Sequence, residues 1–158
     1  YPLIQKLRHE QHQGSQSAVL HASSQFSQHL SAPSFAERWI AQQKALTVLV
    51  ARSSNGETMA YPVEEIAAQE QTDLPDRRLA PAELESSVSD QAQHIAIRAI
   101  NALSGIGVFS IELLLTESDE LLVNKVIPRI QNVAQLTADA CVTDPFEQHL
   151  RAILGLPL

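Results

Sequence analysis

Hydrophobic and polar residues follow strand-like spacing through the first half of the chain, where short apolar runs are separated by polar turns. The strongest strand is predicted at 46–52, a β-branched and apolar segment that is followed by the turn sequence Ser54-Asn55-Gly56. A return strand is expected at 57–63, so that these residues form a hairpin. The same spacing predicts three earlier strands, at 1–8, 17–21 and 34–40.

Helical spacing dominates the later part of the chain. Apolar residues recur every three or four positions over 89–103, which predicts an amphipathic helix that ends before Gly105. Two further helices are predicted at 132–142 and 144–154. The polar, proline-containing segment 66–81 is interpreted as an irregular connection.

A second hairpin is predicted around the polar turn 117–120, because apolar runs flank this turn on both sides. With a four-residue turn, Thr116 faces Leu121, and counting back places Glu112 opposite Lys125. Directly opposed side chains on one face of a sheet lie about 5 Å apart. The hairpin is therefore expected to hold an acidic and a basic side chain next to each other.

The order of sheet, hairpin, helix, hairpin and helices indicates an α+β chain with two sheet-based lobes. The first lobe is predicted at 1–65 and contains the early strands. The second lobe is predicted at 66–158 and contains the helices and the hairpin 107–127.

Composition narrows the possible functions. The formal net charge of −7 argues against a nucleic-acid partner, and no apolar run approaches the roughly 20 residues that span a bilayer. The lone Cys141 cannot form an internal disulfide and is predicted to be a buried structural thiol. We expect a soluble, intracellular protein. The abrupt start at Tyr1 is interpreted as a processed chain or as a fragment without flanking domains.

Short motifs match a known family along the whole chain. They are Tyr1-Pro2-Leu3, Glu37-Arg38-Trp39, Leu49-Val50-Ala51-Arg52, Tyr61-Pro62-Val63-Glu64, Ile111-Glu112-Leu113 and the C-terminal run 146–158. These motifs resemble the ATP-grasp enzymes, and among them the carboxyaminoimidazole ribonucleotide synthases of purine biosynthesis. That family uses ATP to join bicarbonate to aminoimidazole ribonucleotide. The resemblance implies an ATP-grasp-like fold.

The resemblance also implies roles for single residues. Lys6 matches a lysine that reaches the ATP phosphates, Glu37 a glutamate that contacts the nucleotide, and Glu112 the first of two carboxylates that hold magnesium. The positions that retain a candidate role in a nucleotide site are Lys6, Gly14, Glu37, Glu112, Asn124 and Arg129. The resemblance thus implies ATP and magnesium as cofactors of an active member.

Several positions depart from the family pattern, and four of them are expected site positions. Ala45 stands where the family has a glutamate that binds the ribose hydroxyls, and Lys125 stands where it has the second metal carboxylate. Gln131 and Gln135 replace two histidines of a substrate-binding motif. Magnesium requires oxygen ligands, which lysine lacks. We therefore expect no metal site, no catalytic residues and no cofactor.

Three functions follow as hypotheses. The favoured one is a catalytically degenerate ATP-grasp domain that acts as a structural or interaction subunit, with other protein subunits or further copies of itself as partners. The first alternative is ATP-dependent carboxylation of aminoimidazole ribonucleotide. The second is metal-free nucleotide binding through Lys6 and Glu37.

Several residues keep two interpretations at this point. Lys6 is a phosphate ligand or a solvated strand lysine, and Glu37 lines a pocket or lies on the surface. Arg129 binds a phosphate or pairs with a carboxylate, and Trp39 is interpreted as core packing.

Overall fold

The structure, a computed structural model, describes residues 2–8, 17–22, 32–67, 77–130 and 140–158. The predicted helix 132–142 lies almost entirely outside the described residues. The predicted α+β class is confirmed, because antiparallel sheets are combined with separate helices. No helix in these described ranges is both long enough and apolar enough to cross a membrane.

The chain divides into two compact units, Tyr1–Ala41 and Gln42–Leu158. This division differs from the boundary expected after residue 65. The difference arises because the strand Gln42–Arg52 pairs along its length with the strand Gly107–Thr116, far away in the sequence. Local spacing identifies a strand but carries no information about such a distant partner.

The first unit contains a three-stranded antiparallel sheet. Its strands are β1 (Leu3–Leu7), β2 (Ser17–Leu20) and β3 (Ser34–Arg38), in the order β2-β1-β3. All three strands were predicted from the sequence, and none of their ends differs from the prediction by more than two residues.

The second unit is built on a six-stranded antiparallel sheet. Its strands are β4 (Gln42–Arg52), β5 (Thr58–Ala60), β6 (Glu64–Ala67), β7 (Arg77–Leu79), β8 (Gly107–Thr116) and β9 (Leu121–Ile127). The strand order is β7-β6-β4-β8-β9, and β5 also pairs with β4. The segment interpreted as an irregular connection contains β7, whose three residues are too short for a periodic signal.

One face of this second sheet is covered by helix α1 (Ser86–Leu103). Alternate residues of β4 and β8 point toward that helix and meet its small alanines, which allow close packing. The central residues of this core are Leu46, Val48, Val50, Ala92, Ala96, Ile100, Ile111, Leu113 and Leu115. We call this surface of the sheet the helix face, and the opposite surface the polar face.

Both long helices match their predictions within three residues. Helix α1 ends at Ser104, which adopts a left-handed conformation at φ 54°. Helix α2 (Pro145–Leu154) starts after Asp144, whose carboxylate accepts hydrogen bonds from the backbone N–H groups of Phe146 and Glu147. It ends at Gly155, where φ is 69° and a residue without a side chain is favoured.

Candidate functional site

The β8–β9 hairpin has a different turn from the one that the sequence predicts. Leu115 pairs with Leu121, so Thr116 does not face Leu121. Instead, the Thr116 N–H donates to the Glu120 carbonyl over 2.9 Å. Thr116 thus faces Glu120, and the loop contains only residues 117–119, one fewer than expected. Within this loop Asp119 adopts φ 59°.

The opposition of Glu112 and Lys125 is nevertheless confirmed. Leu113 pairs with Val123, but the next pair is Glu112 with Lys125, so Asn124 is an extra residue in β9. This is a β-bulge, in which two residues of one strand oppose a single residue of the other. The shorter loop and the bulge shift the register by one residue in opposite directions and cancel.

The bulge brings Asn124 and Lys125 to the polar face together. Val126, the next residue, packs against the core of the helix face, so Lys125 points the other way. The Asn124 amide donates to a carboxylate oxygen of Glu112 over 3.4 Å, a long hydrogen bond. Glu112 is half-buried, whereas Asn124 and Lys125 are exposed.

Glu112 and Lys125 belong to a polar row that crosses four strands. Thr47 of β4 pairs with Glu112 on one side and with Glu64 of β6 on the other. Residues paired in this way lie on the same face of the sheet. The row therefore runs from an exposed end at Lys125 to a buried end at Glu64, and Glu64 is only 1% exposed.

Glu64 is a site residue that the sequence analysis did not identify. Burial raises the pKa of its carboxyl to about 7, and the positive charge of Arg78 opposes that rise. Within the described ranges, neither carboxylate oxygen of Glu64 has a hydrogen-bond partner, and the same holds for Nη1 of Arg78. The only sequence signal was a glutamate next to the apolar Tyr61-Pro62-Val63, which says nothing about depth.

Cys141 lies near this buried end. It packs against the apolar cluster formed by Leu49, Ala51 and Tyr61, although it is not fully buried. Burial raises the pKa of its thiol, and the charge of Glu64 raises it further. The thiol therefore stays protonated at neutral pH, which agrees with the structural role expected from the sequence.

The hairpin does not fit a magnesium ion. Magnesium prefers six oxygen ligands at about 2.1 Å. At this position Glu112 offers one carboxylate, and its register partner Lys125 offers a positive charge. Across the described ranges, no group of three or more histidine, cysteine or acidic side chains is arranged to hold a metal ion.

In the first unit, the structure brings Lys6 and Glu37 together. They lie on β1 and β3, where Lys6 pairs with Phe35, so that Glu37 is a diagonal neighbour on the same face. The Lys6 ammonium lies 2.5 Å from a carboxylate oxygen of Glu37. Their side chains are 30% and 47% exposed, so solvent screens the pair and its contribution to stability is small.

The structure places three further predicted residues apart from these pairs. Ala45 lies on the polar face, paired with Ile66 and Leu114, and presents only a methyl group. Arg129 has an exposed side chain, and its carbonyl accepts a hydrogen bond from Ser110 Oγ over 3.0 Å. Trp39 contacts His21 edge-on, with ring centres 5.9 Å apart.

Three predicted site residues are not placed by the structure. Gly14, Gln131 and Gln135 lie outside the described residues. Their predicted roles stay predictions.

Comparison with known proteins supports the resemblance seen in the motifs. The family described as the ATP-grasp domain matches residues 1–146. The chain is 40% identical over 126 residues to a phosphoribosylaminoimidazole carboxylase of Ogataea methanolica, covering 80% of this chain and 23% of that protein. It is 37% identical over 122 residues to an N5-carboxyaminoimidazole ribonucleotide synthase of Bacillus subtilis, covering 77% and 32%.

Solved structures agree with these relatives. An N5-carboxyaminoimidazole ribonucleotide synthetase from Thermotoga maritima superposes with a TM-score of 0.85 at 36% identity, covering 100% of this chain and 40% of that one. A carboxyaminoimidazole ribonucleotide synthase from Aspergillus clavatus complexed with ATP gives 0.86 at 29% identity, covering 100% and 42%. The chain thus spans less than half the length of these relatives. By fold and sequence together, it belongs to the ATP-grasp family.

Proposed function

We propose that this chain is the ATP-grasp portion of a protein that catalyses ATP-dependent carboxylation of aminoimidazole ribonucleotide in purine biosynthesis. The observation that carries the proposal is the match over 100% of the chain, at 36% identity and a TM-score of 0.85, to a synthetase of that name. The relatives from Ogataea methanolica and Bacillus subtilis are named a phosphoribosylaminoimidazole carboxylase and an N5-carboxyaminoimidazole ribonucleotide synthase, and both names refer to carboxylation of an aminoimidazole ribonucleotide.

The geometry of the first unit is compatible with this function. Lys6 and Glu37 stand side by side on one face of the three-stranded sheet, with their charged groups 2.5 Å apart. An ammonium group held by a carboxylate on a rigid sheet has a defined position from which it can meet a phosphate oxygen. In this proposal Lys6 binds the nucleotide phosphates, and Glu37 orients the lysine and contacts the nucleotide.

A second candidate function is favoured by a different observation. Lys125 opposes Glu112 where the family resemblance implies a second metal carboxylate. Phosphoryl transfer depends on a metal ion to neutralise the charge that develops on the phosphate. The second candidate is therefore a catalytically degenerate domain that acts through protein partners.

Turnover by the full-length protein separates the two candidates. The assay follows release of ADP in the presence of ATP, bicarbonate and aminoimidazole ribonucleotide. The first proposal expects turnover that depends on aminoimidazole ribonucleotide and falls at least tenfold in Lys6→Met. Absence of turnover in the wild type, together with its appearance in Lys125→Glu, contradicts the first proposal and supports the second.

Arg98→Glu is the matched control for Lys125→Glu. Arg98 is exposed on helix α1, which covers the opposite face of the sheet, and the change in charge is the same. We expect its turnover to equal that of the wild type. A rise in both variants alike would mean that net charge alone is responsible.

A further inference from the structure

We infer that the β8–β9 hairpin carries its own cation: the ammonium group of Lys125 takes the place of a divalent metal ion beside Glu112, and the phosphate groups of a nucleotide bind there to the ammonium directly. The part of this inference that concerns the nucleotide rests on the proposed function. The part that concerns the metal does not.

Lys125 lies opposite Glu112 because of the bulge in β9. If the pairs Leu115–Leu121 and Leu113–Val123 continued without interruption, Asn124 would oppose Glu112. Lys125 would then point to the helix face. The bulge at Asn124 turns the lysine to the polar face instead, which is a common use of bulges near functional sites.

The groups that face Glu112 are a lysine ammonium and an asparagine amide. A lysine ammonium has three donors and no acceptor, so it cannot coordinate a metal ion. The Asn124 side chain also presents a donor, because its amide nitrogen points to Glu112 Oε2 at 3.4 Å. Both residues that oppose the carboxylate therefore supply hydrogen-bond donors. A divalent cation at Glu112 would lie close to a positive charge and would be repelled.

Among the residues that the structure describes, the row holds no substitute carboxylate next to Glu112. The next acidic residue is Glu64, on the far side of Thr47. Two strand spacings separate its backbone from that of Glu112, about 10 Å in all. Its side chain is 1% exposed, and burial raises its pKa to about 7, so it is not an accessible anion for a metal in water.

The donors on this hairpin suit a ligand with anionic oxygens. An exposed ammonium and an adjacent amide offer several N–H donors toward one side of the sheet. Groups with several anionic oxygens, such as the phosphates of a nucleotide, accept from such donors without a bridging metal.

The metal part is tested by titrating the full-length protein with Mn²⁺ and following free Mn²⁺ by electron paramagnetic resonance. We expect Lys125→Glu to bind Mn²⁺ at least tenfold more tightly than the wild type, and Lys125→Glu combined with Glu112→Gln to lose that gain. Arg98→Glu, with the same change in charge, should bind like the wild type. Wild-type binding as tight as that of Lys125→Glu, abolished by Glu112→Gln, would overturn the inference.

The nucleotide part is tested by calorimetric titration with ADP in buffers that contain either EDTA or magnesium. We expect the two affinities to agree within twofold, and Lys125→Gln to weaken binding about tenfold in EDTA. Binding that requires magnesium, binding unaffected by Lys125→Gln, or no binding in either buffer would each overturn this part. Metal-free ADP binding without turnover would contradict the proposed function alone.

Discussion

The two faces of the six-stranded sheet are formed by the same strands but differ in the polarity of their side chains. On the helix face, alternate residues of β4 and β8 are apolar, almost completely buried and packed on α1. On the polar face, a row of polar residues crosses the sheet from the exposed Lys125 to the buried Glu64, while Leu49, Ala51 and Val108 form a second, smaller apolar cluster. Burial of apolar side chains stabilises both faces, and the polar face in addition holds Glu64, a buried carboxyl that costs stability when it is charged.

The most direct test of this contrast compares two adjacent leucines. Leu113 is buried on the helix face, whereas Leu114 is half-buried on the polar face. Leu113→Ala should lower the free energy of unfolding by about 2–5 kcal/mol, since it leaves a cavity in the core. Leu114→Ala should cost less than about 1.5 kcal/mol. Urea denaturation measures both, and equal losses would show that Leu114 is packed as tightly as Leu113.

A second test concerns the pH dependence of stability. The pKa of Glu64 is raised from 4.5 to about 7 in the folded protein, so the folded state binds more protons than the unfolded state between these values. The contribution of Glu64 to stability is therefore fully present below about pH 4.5 and is lost as the pH rises through about 7, a loss of about 3 kcal/mol from this group. Other titrating groups add their own slopes.

Glu64→Gln isolates this contribution, because an amide of similar shape has no charge to bury. The variant should be more stable than the wild type above pH 7 and should lose this part of the slope, as measured by denaturation at several pH values. Glu57→Gln removes the same charge from an exposed position and is the control. A variant with the wild-type profile would mean that Glu64 reaches a partner or water in solution.

A smaller effect is expected where the helices begin. Asp144 caps α2 through two backbone N–H groups, whereas Glu85 precedes α1 without a side-chain cap. Asp144→Ala should cost about 1 kcal/mol, and Glu85→Ala much less. Thermal denaturation distinguishes them. Equal effects would imply that α2, like α1, is held by packing on the sheet rather than by its cap.

The smallest effect is expected at the exposed end of the polar row. Lys125→Gln should change the free energy of unfolding by less than about 0.5 kcal/mol, because the side chain is exposed. Urea denaturation checks this value. A larger loss would show that the lysine stabilises the fold, and any change in nucleotide affinity would then have to be corrected for stability.

Regular elements were predictable because their signals are local. The spacing of 89–103 and the turn at Ser54-Asn55-Gly56 each depend on neighbours within a few residues. The helix that the structure places at Ser86–Leu103 agrees with the first, and the return strand expected at 57–63 is present but limited to Thr58–Ala60. The motif resemblance likewise identified the family, because it depends only on residue identity along short segments.

The site was only partly predictable. The opposition of Glu112 and Lys125 followed from counting, yet it holds because a shorter loop and a bulge at Asn124 compensate each other. The depth of Glu64 had no local signal at all. A strand of four residues does not reveal which of its faces another segment covers.

The sequence by itself determined the α+β class, the family, and the presence of a lysine where a metal carboxylate is expected, because these depend on residue identity and short-range spacing. The tertiary structure decided three other things: that β4 joins the later part of the chain, that the bulge places Lys125 on the same face as Glu112, and that Glu64 is buried near Arg78. The physical reason is common to all three. Strand pairing, register and burial depend on contacts between segments that are distant in sequence, and such contacts are settled by the packing of the whole unit.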